Sequence, residues 1–222
     1  LLQKPPFIHK LGIDSSDYAK WDREKFAGEI EKLVRQVYLG KHMQEVINEI
    51  VAQYTHGEKK ISEFYINSYN ELIGDLLFNV PAADGIFARR KTRWDVFAYI
   101  FSYHKDADWN SNVPEGIRGA AHGSDLAYVT GVGLPEKFDE KEQTIVNLLQ
   151  EAFAEFAREG GPYNHEKLWL EISSAPTLRY LEISSNSTEK WGYYHGKFPA
   201  LSFNVMFLVS MVFKIYIIFI HS

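Results

Sequence analysis

The residues best suited to acid–base chemistry in this sequence gather around one histidine. His122 stands in the run Gly119-Ala120-Ala121-His122-Gly123-Ser124-Asp125-Leu126, in the midst of small residues. A general base must come within hydrogen-bond reach of the group it deprotonates, and small neighbours leave that approach open. An apolar, aromatic run over 96–103 precedes it, and a polar loop rich in Asp, Asn, Pro and Gly lies between. Strand, loop and histidine in that order are how a hydrolase can present its base. A loop histidine with no role fits the same spacing, because a single His is a weak motif.

The groups that would work with such a base are missing. There is no G-x-S-x-G, the elbow that exposes a serine nucleophile between a strand and a helix. A base without a nucleophile cannot carry out acyl transfer by the usual route. The chain has no cysteine, which excludes thiolate nucleophiles, thiolate metal sites and disulfides. Its eight histidines include no pair at i, i+4 on a helix and form no metal-binding motif with Asp or Glu, so no metal is expected. Neither phosphate-cradling glycine motif occurs, and no cofactor is expected. A net charge of −5 without a long basic run argues against nucleic acid as a partner. With 222 residues, 45% of them hydrophobic, the chain is long enough for one domain with a sizeable core.

The elements that must position His122 can be read from periodicity. Apolar residues at Phe26, Ile30, Leu33, Val34 and Val37 predict a helix over 21–39, with a cap-like cluster at 14–17 and Gly40 as its end. A second helix is predicted over 42–54 on Val46, Ile47, Ile50 and Val51. A third runs over 62–78 and is interrupted by Pro81, and a fourth continues to Lys91. The basic cluster Arg89-Arg90-Lys91 complements the negative end of that helix. The period then changes, and 94–103 reads as a central strand. The loop over 105–119 is long enough to suggest function. Ser124 and Asp125 open a short helical turn that glycines at 131–133 break. The clearest helix is 139–159, with Ile145, Leu148, Leu149, Ala152, Phe153 and Phe156 on one face and a stop at 160–162. Strands are expected over 178–183 and 190–194. Asn186-Ser187-Thr188 between them is a turn and an N-glycosylation sequon, usable only if the protein enters the secretory pathway. Several helices with few, late strands resemble α/β layers that lack part of their sheet.

The order of these elements and several local strings resemble the C-terminal part of the type B carboxylesterase family, the cholinesterase-like branch of the α/β-hydrolases. The strings are Phe97-Ala98-Tyr99-Ile100-Phe101, the loop after it, and 119–126 with Tyr128 just beyond. Further matches are 84–90, 148–161, Trp169 and Tyr180-Leu181-Glu182-Ile183. The resemblance covers 1–203 and implies an α/β-hydrolase fold with an incomplete sheet and amphipathic helices. It implies a serine carboxylesterase acting on small-molecule esters through a Ser-Glu-His triad. His122 matches the third member and would be the general base. Asp125 matches a supporting carboxylate three residues on, where the family usually has the longer Glu. The serine and the triad acid match nothing here, so the resemblance implies a fragment that is inactive alone. A non-catalytic, cholinesterase-like adhesion protein and a non-functional gene fragment remain alternatives.

The two ends add expectations of their own. Leu1 opens the sequence without an initiator Met or a signal-peptide pattern, as if the chain were entered in its middle. The run 201–220 is almost wholly apolar and about long enough to span a bilayer. It reads either as a membrane anchor, against which Lys214 argues, or as a non-native end over 204–222 that departs from the family. The family and the Asn186 sequon together suggest a secreted or secretory-pathway protein.

Overall fold

A glycine-poor, regularly patterned first half and a turn-rich second half give the chain two different units. The structure, a computed structural model, describes residues 15–38, 40–57, 59–92, 94–109, 111, 113–132, 138–162, 169–172 and 178–193. A helical unit is built on Ile8–Gly85 and an α/β unit on Ile86–His195. The apolar tail over 201–220 lies outside the described residues.

In the helical unit, a 3₁₀ turn at Ser15–Lys20 leads into α1 (Arg23–Val37), α2 (Met43–Tyr54) and α3 (Ser62–Gly74). The expected cap cluster at 14–17 does not start α1. Asp22 does, accepting the Lys25 N–H at 2.8 Å, which satisfies one of the free donors of the first turn. Gly40 is likewise not the cap that ends α1, since Tyr38 holds that place. A Cβ at Gly40 would meet the far end of the Tyr38 ring, which would have to move aside. Phe26, Ile30 and Val34 of α1 are buried with Val46, Ile47 and Ile50 of α2 and with Tyr65, Tyr69 and Leu72 of α3. Each such side chain contributes about 1.5–3 kcal/mol through burial.

The break predicted at Pro81 does not occur. A π turn at Asp75–Asn79 joins α3 directly to α4 (Val80–Lys91), which carries Pro81 in its first turn. The Val80 N–H bonds to the Asp75 carbonyl, one residue further back than in an α-helix. This wide turn moves the hydrogen-bond register just ahead of the proline, so the missing donor and the ring meet a turn that is already open. Asp75, buried inside it, accepts the Tyr54 hydroxyl at 2.9 Å and the Asn79 amide at 2.8 Å.

The α/β unit holds a small open sheet of three strands in the order β1 (Tyr99–Phe101), β2 (Leu178–Ile183), β3 (Thr188–Tyr193). β1 runs parallel to β2, and β3 antiparallel to it. The predicted strand 94–103 is shortened to three paired residues. Its immediate neighbours still bond β2, the Ala98 carbonyl accepting the Leu181 N–H at 3.0 Å and the Ser102 N–H donating to the Ile183 carbonyl at 2.9 Å, while the Val96 carbonyl accepts the Ile172 N–H at 2.8 Å. β3 begins two residues earlier than predicted. It holds a bulge, because Leu178 pairs with Tyr193 while Arg179 pairs with Trp191, leaving Gly192 extra. Gly192 sits at φ +88, a conformation that side chains with a Cβ resist.

Between β1 and β2 come α5 (Leu126–Thr130) and α6 (Glu140–Glu159). A reciprocal capping box opens α6, with Asp139 accepting the Glu142 N–H and Glu142 accepting the Asp139 N–H. Gly160 closes it in the left-handed region, as the sequence implies. Ile145, Leu149 and Ala152 pack with Trp169, Leu181 and Ile183 as the core of this unit. Phe97, Tyr99, Phe101 and Tyr103, alternate residues of one strand face, pack against it. Phe153 and Phe156, assigned by periodicity to the buried face, remain 40% and 47% exposed, with their ring edges on Tyr99 and Phe97. Helices flanking an open mixed sheet make this an α/β fold of the incomplete hydrolase type.

Candidate functional site

β1 delivers the chain to the site, and two ties hold the loop and the turn beyond it. Lys105, just past the strand, pairs with the buried Glu142 at 2.6 Å and with Asp139 at 3.2 Å. Tyr128 adds its hydroxyl to Glu142 at 3.3 Å. The loop after β1 is therefore fastened to the start of α6, and Lys105 is held protonated above the usual lysine range, first by its bond to Glu142. The loop is not structureless, as it contains 3₁₀ turns at Asp106–Asp108 and Glu115–Ile117. Arg118 folds back on it, donating to the Val113 carbonyl at 3.0 and 2.8 Å.

His122 lies on the turn that ends this loop, exposed to solvent. The turn is built locally. Ser124 bonds the Ala121 carbonyl through both its N–H (3.0 Å) and its hydroxyl (2.7 Å). Gly123 takes φ +77, so the residue beside the histidine must be one that tolerates the left-handed region. Leu126 N–H reaches the Gly123 carbonyl at 3.2 Å, and α5 begins there. Gly131 ends α5 at φ +72, which is where the sequence puts the break.

The second tie is between Asp125 and the strand. Its carboxylate accepts the Tyr99 hydroxyl at 2.6 Å, joining the turn that bears His122 to the first residue of β1. Burial, and then this bond, push the Tyr99 hydroxyl well above the usual tyrosine range, which keeps it the donor of this bond near neutral pH. Asp125 thus acts from the residue next to the helix start, with its charge used to pin the turn. Tyr99 escapes sequence reasoning because it reads as one more aromatic of a buried strand, and its partner lies 26 residues away.

Beyond the carboxyl ends of the two parallel strands there is an open cleft of about 500 Å³, lined by Ser102, His104, Lys105, Asp139, Ser184 and Ser185. Clefts at the carboxyl ends of parallel strands are where α/β folds bind ligands. His122 is not among its described lining residues. Asn186 is exposed in the turn between β2 and β3. Its N–H donates to the Ser184 hydroxyl at 3.1 Å, while Ser187 closes the turn through its hydroxyl on the Ser184 carbonyl. Among the described residues, no group of three or more His, Asp or Glu is arranged to hold a metal ion, and no helix is long and apolar enough to cross a membrane.

The description of the carboxylesterase family matches residues 8–198. Gut esterase 1 of Caenorhabditis elegans is 29% identical over 189 residues, covering 81% of this chain and 34% of that protein. Gut esterase 1 of Caenorhabditis briggsae is 27% identical over 187 residues, with 81% and 33% covered. The chain therefore spans about a third of the length of the curated relatives it matches. Among solved structures, a PNB esterase superposes with a TM-score of 0.55 at 20% identity, over 80% of this chain and 32% of that one, which places the fold. The match runs through both units, from the helices ahead of β1 to the end of the β2–β3 hairpin, and the chain belongs to the carboxylesterase family.

Proposed function

We propose that this chain is the C-terminal portion of a serine carboxylesterase domain and supplies the histidine of its triad. In this reading His122 takes the proton of a serine hydroxyl as that oxygen attacks an ester carbonyl, then gives it to the departing alkoxide. Asp125 supports the base by holding its turn to β1 through Tyr99. The serine and the acid that orients the imidazole belong to the part of the domain preceding residues 1–203, since no residue here matches either motif. The substrate is a small carboxylic ester, in keeping with relatives named as esterases. The protein enters the secretory pathway, where the exposed Asn186 is glycosylated. The observation that carries the reading is an exposed histidine on a locally built turn, tied by Asp125 to a parallel strand of an esterase-like sheet.

The 222-residue chain alone should leave p-nitrophenyl acetate at its buffer rate. Turnover by this chain that His122→Ala abolishes would overturn the proposed division of the triad. A transcript read upstream of Leu1 should encode G-x-S-x-G, and in that longer protein His122→Ala should lower kcat by roughly four orders of magnitude or more. Glycine or alanine in place of the serine would favour a binding protein that keeps the fold without catalysis.

A further inference from the structure

His122 belongs to the segment 106–127, and the residues that flank this segment, Lys105 and Tyr128, end on the same group. The Glu142 carboxylate, 3% exposed, takes the Lys105 ammonium at 2.6 Å on Oε2 and the Tyr128 hydroxyl at 3.3 Å on Oε1. Its Oε2 also accepts the Asp139 N–H at 3.0 Å. Capping α6 explains that last bond and no more, because glutamine serves a capping box as well as glutamate does. A buried full charge is more than the cap requires. An ionised group taken out of water needs partners, and here they come from the loop after β1 and from α5. Tyr128 is held around its ring as well, with centroids 5.3 Å from Phe101, 6.1 Å from Tyr103 and 6.0 Å from Phe138. Its hydroxyl therefore has little freedom to reach a different acceptor.

Asp125 and Glu142 hold the His122 segment in different ways. Asp125 joins the turn to Tyr99 of β1, whereas Glu142 joins both ends of the segment to α6. A segment anchored at one point can swivel about it, and anchors on both a strand and a helix remove that rotation. We propose that Glu142 is a positioning residue for His122, a single buried carboxylate that closes the segment at both ends and fixes where the imidazole stands. The inference rests on the reading of His122 as the base, and it names the residue outside the turn on which the geometry of that base depends. The geometry matters because a displacement of about 1 Å at a reacting group lowers a rate by roughly a hundredfold.

The test reads the imidazole itself. The ring C–H signals of His122 are recorded by NMR from the isotope-labelled 222-residue chain and from four variants. Glu142→Gln keeps an oxygen for the cap and removes the charge. Lys105→Met and Tyr128→Phe each release one end of the segment. Val146→Ala, at a buried apolar position of α6 that takes no part in the clamp, controls for general loosening of the helix. The first three should shift and broaden the His122 signals. Val146→Ala should leave them in place although it too lowers the urea midpoint. Unchanged signals in Glu142→Gln, or equal changes in Val146→Ala, would overturn the proposal. Should Glu142→Gln fail to fold, Lys105→Met and Tyr128→Phe decide on the same signals. In the longer protein, Glu142→Gln should lower kcat about tenfold with KM unchanged. An unaffected kcat, in a longer protein whose activity needs His122, would overturn the proposal. Activity that survives His122→Ala would instead overturn the esterase reading and leave the clamp to be judged on the imidazole signals.

Discussion

Tyr99 and Asp125 show how a residue can be visible in a sequence while its role is not. Asp125 is recognisable as a carboxylate three positions after His122, one methylene shorter than the family's usual Glu. What the shorter side chain reaches is decided by the fold, where β1 carries a tyrosine hydroxyl to 2.6 Å from it. Tyr99→Phe should therefore destabilise the protein by about 1 kcal/mol, the usual effect of losing a hydrogen bond to a charged acceptor that water then partly replaces. Urea denaturation measures that loss. Amide exchange should accelerate in α5 and leave α1 unchanged. Equal acceleration in both would mean that the bond does not act on the His122 turn in particular. The turn beside His122 was legible, since Gly123 at φ +77 meets a requirement that its residue type already advertises.

At the scale of elements, legibility depended on locality. Helices α1, α2 and α6 were readable because their apolar spacing lies within a few turns of sequence, and in α6 the Gly160 stop does as well. The continuous passage from α3 to α4 was not, because the π turn ahead of Pro81 holds a buried Asp75 that Tyr54 meets from another helix. The exposure of Phe153 and Phe156 was hidden for the same reason, as periodicity reports a face and not the extent of what covers it. The Asp139 cap permits a prediction with a definite sign. The Glu142 backbone N–H, and next the Lys105 ammonium, hold the Asp139 carboxyl below its ordinary range. A depressed carboxyl contributes stability that is complete above its unfolded value and disappears as pH falls through the folded one. Asp139→Asn should thus lower Tm near pH 7, and the gap from the wild type should narrow as the solution is made acidic enough to protonate carboxylates. A gap independent of pH in calorimetric scans would assign the effect to hydrogen bonding alone.

For the whole molecule, the α/β class and the thin sheet could be anticipated from few, late strands among many helices, while the parallel pairing of β1 with β2 is a matter of tertiary contact. The buried tyrosines give a global readout. Burial is the leading cause raising the hydroxyls of Tyr54, Tyr99 and Tyr128, and it pushes Tyr69 up to about 12. Groups raised in this way leave stability intact below the ordinary tyrosine value, and stability declines above it as the unfolded chain ionises and the folded one does not. An absorbance titration of phenolate should show some tyrosines ionising freely and these four only as circular dichroism reports unfolding. Smooth ionisation of all thirteen before any loss of helix would contradict their burial.

The register of the sheet also sets an order of events. Tyr99 pairs with Leu181, so the β1–β2 ladder joins the ends of a loop of about eighty residues, while β2 and β3 are joined by a short turn. The hairpin can form in microseconds, whereas the parallel partner must wait for a long segment, α6 included, to be gathered in. His122 lies within that segment. The turn that carries His122 is consequently among the last parts of the α/β unit to acquire its native surroundings, and mutations at Tyr99 should be felt there before they are felt in the hairpin.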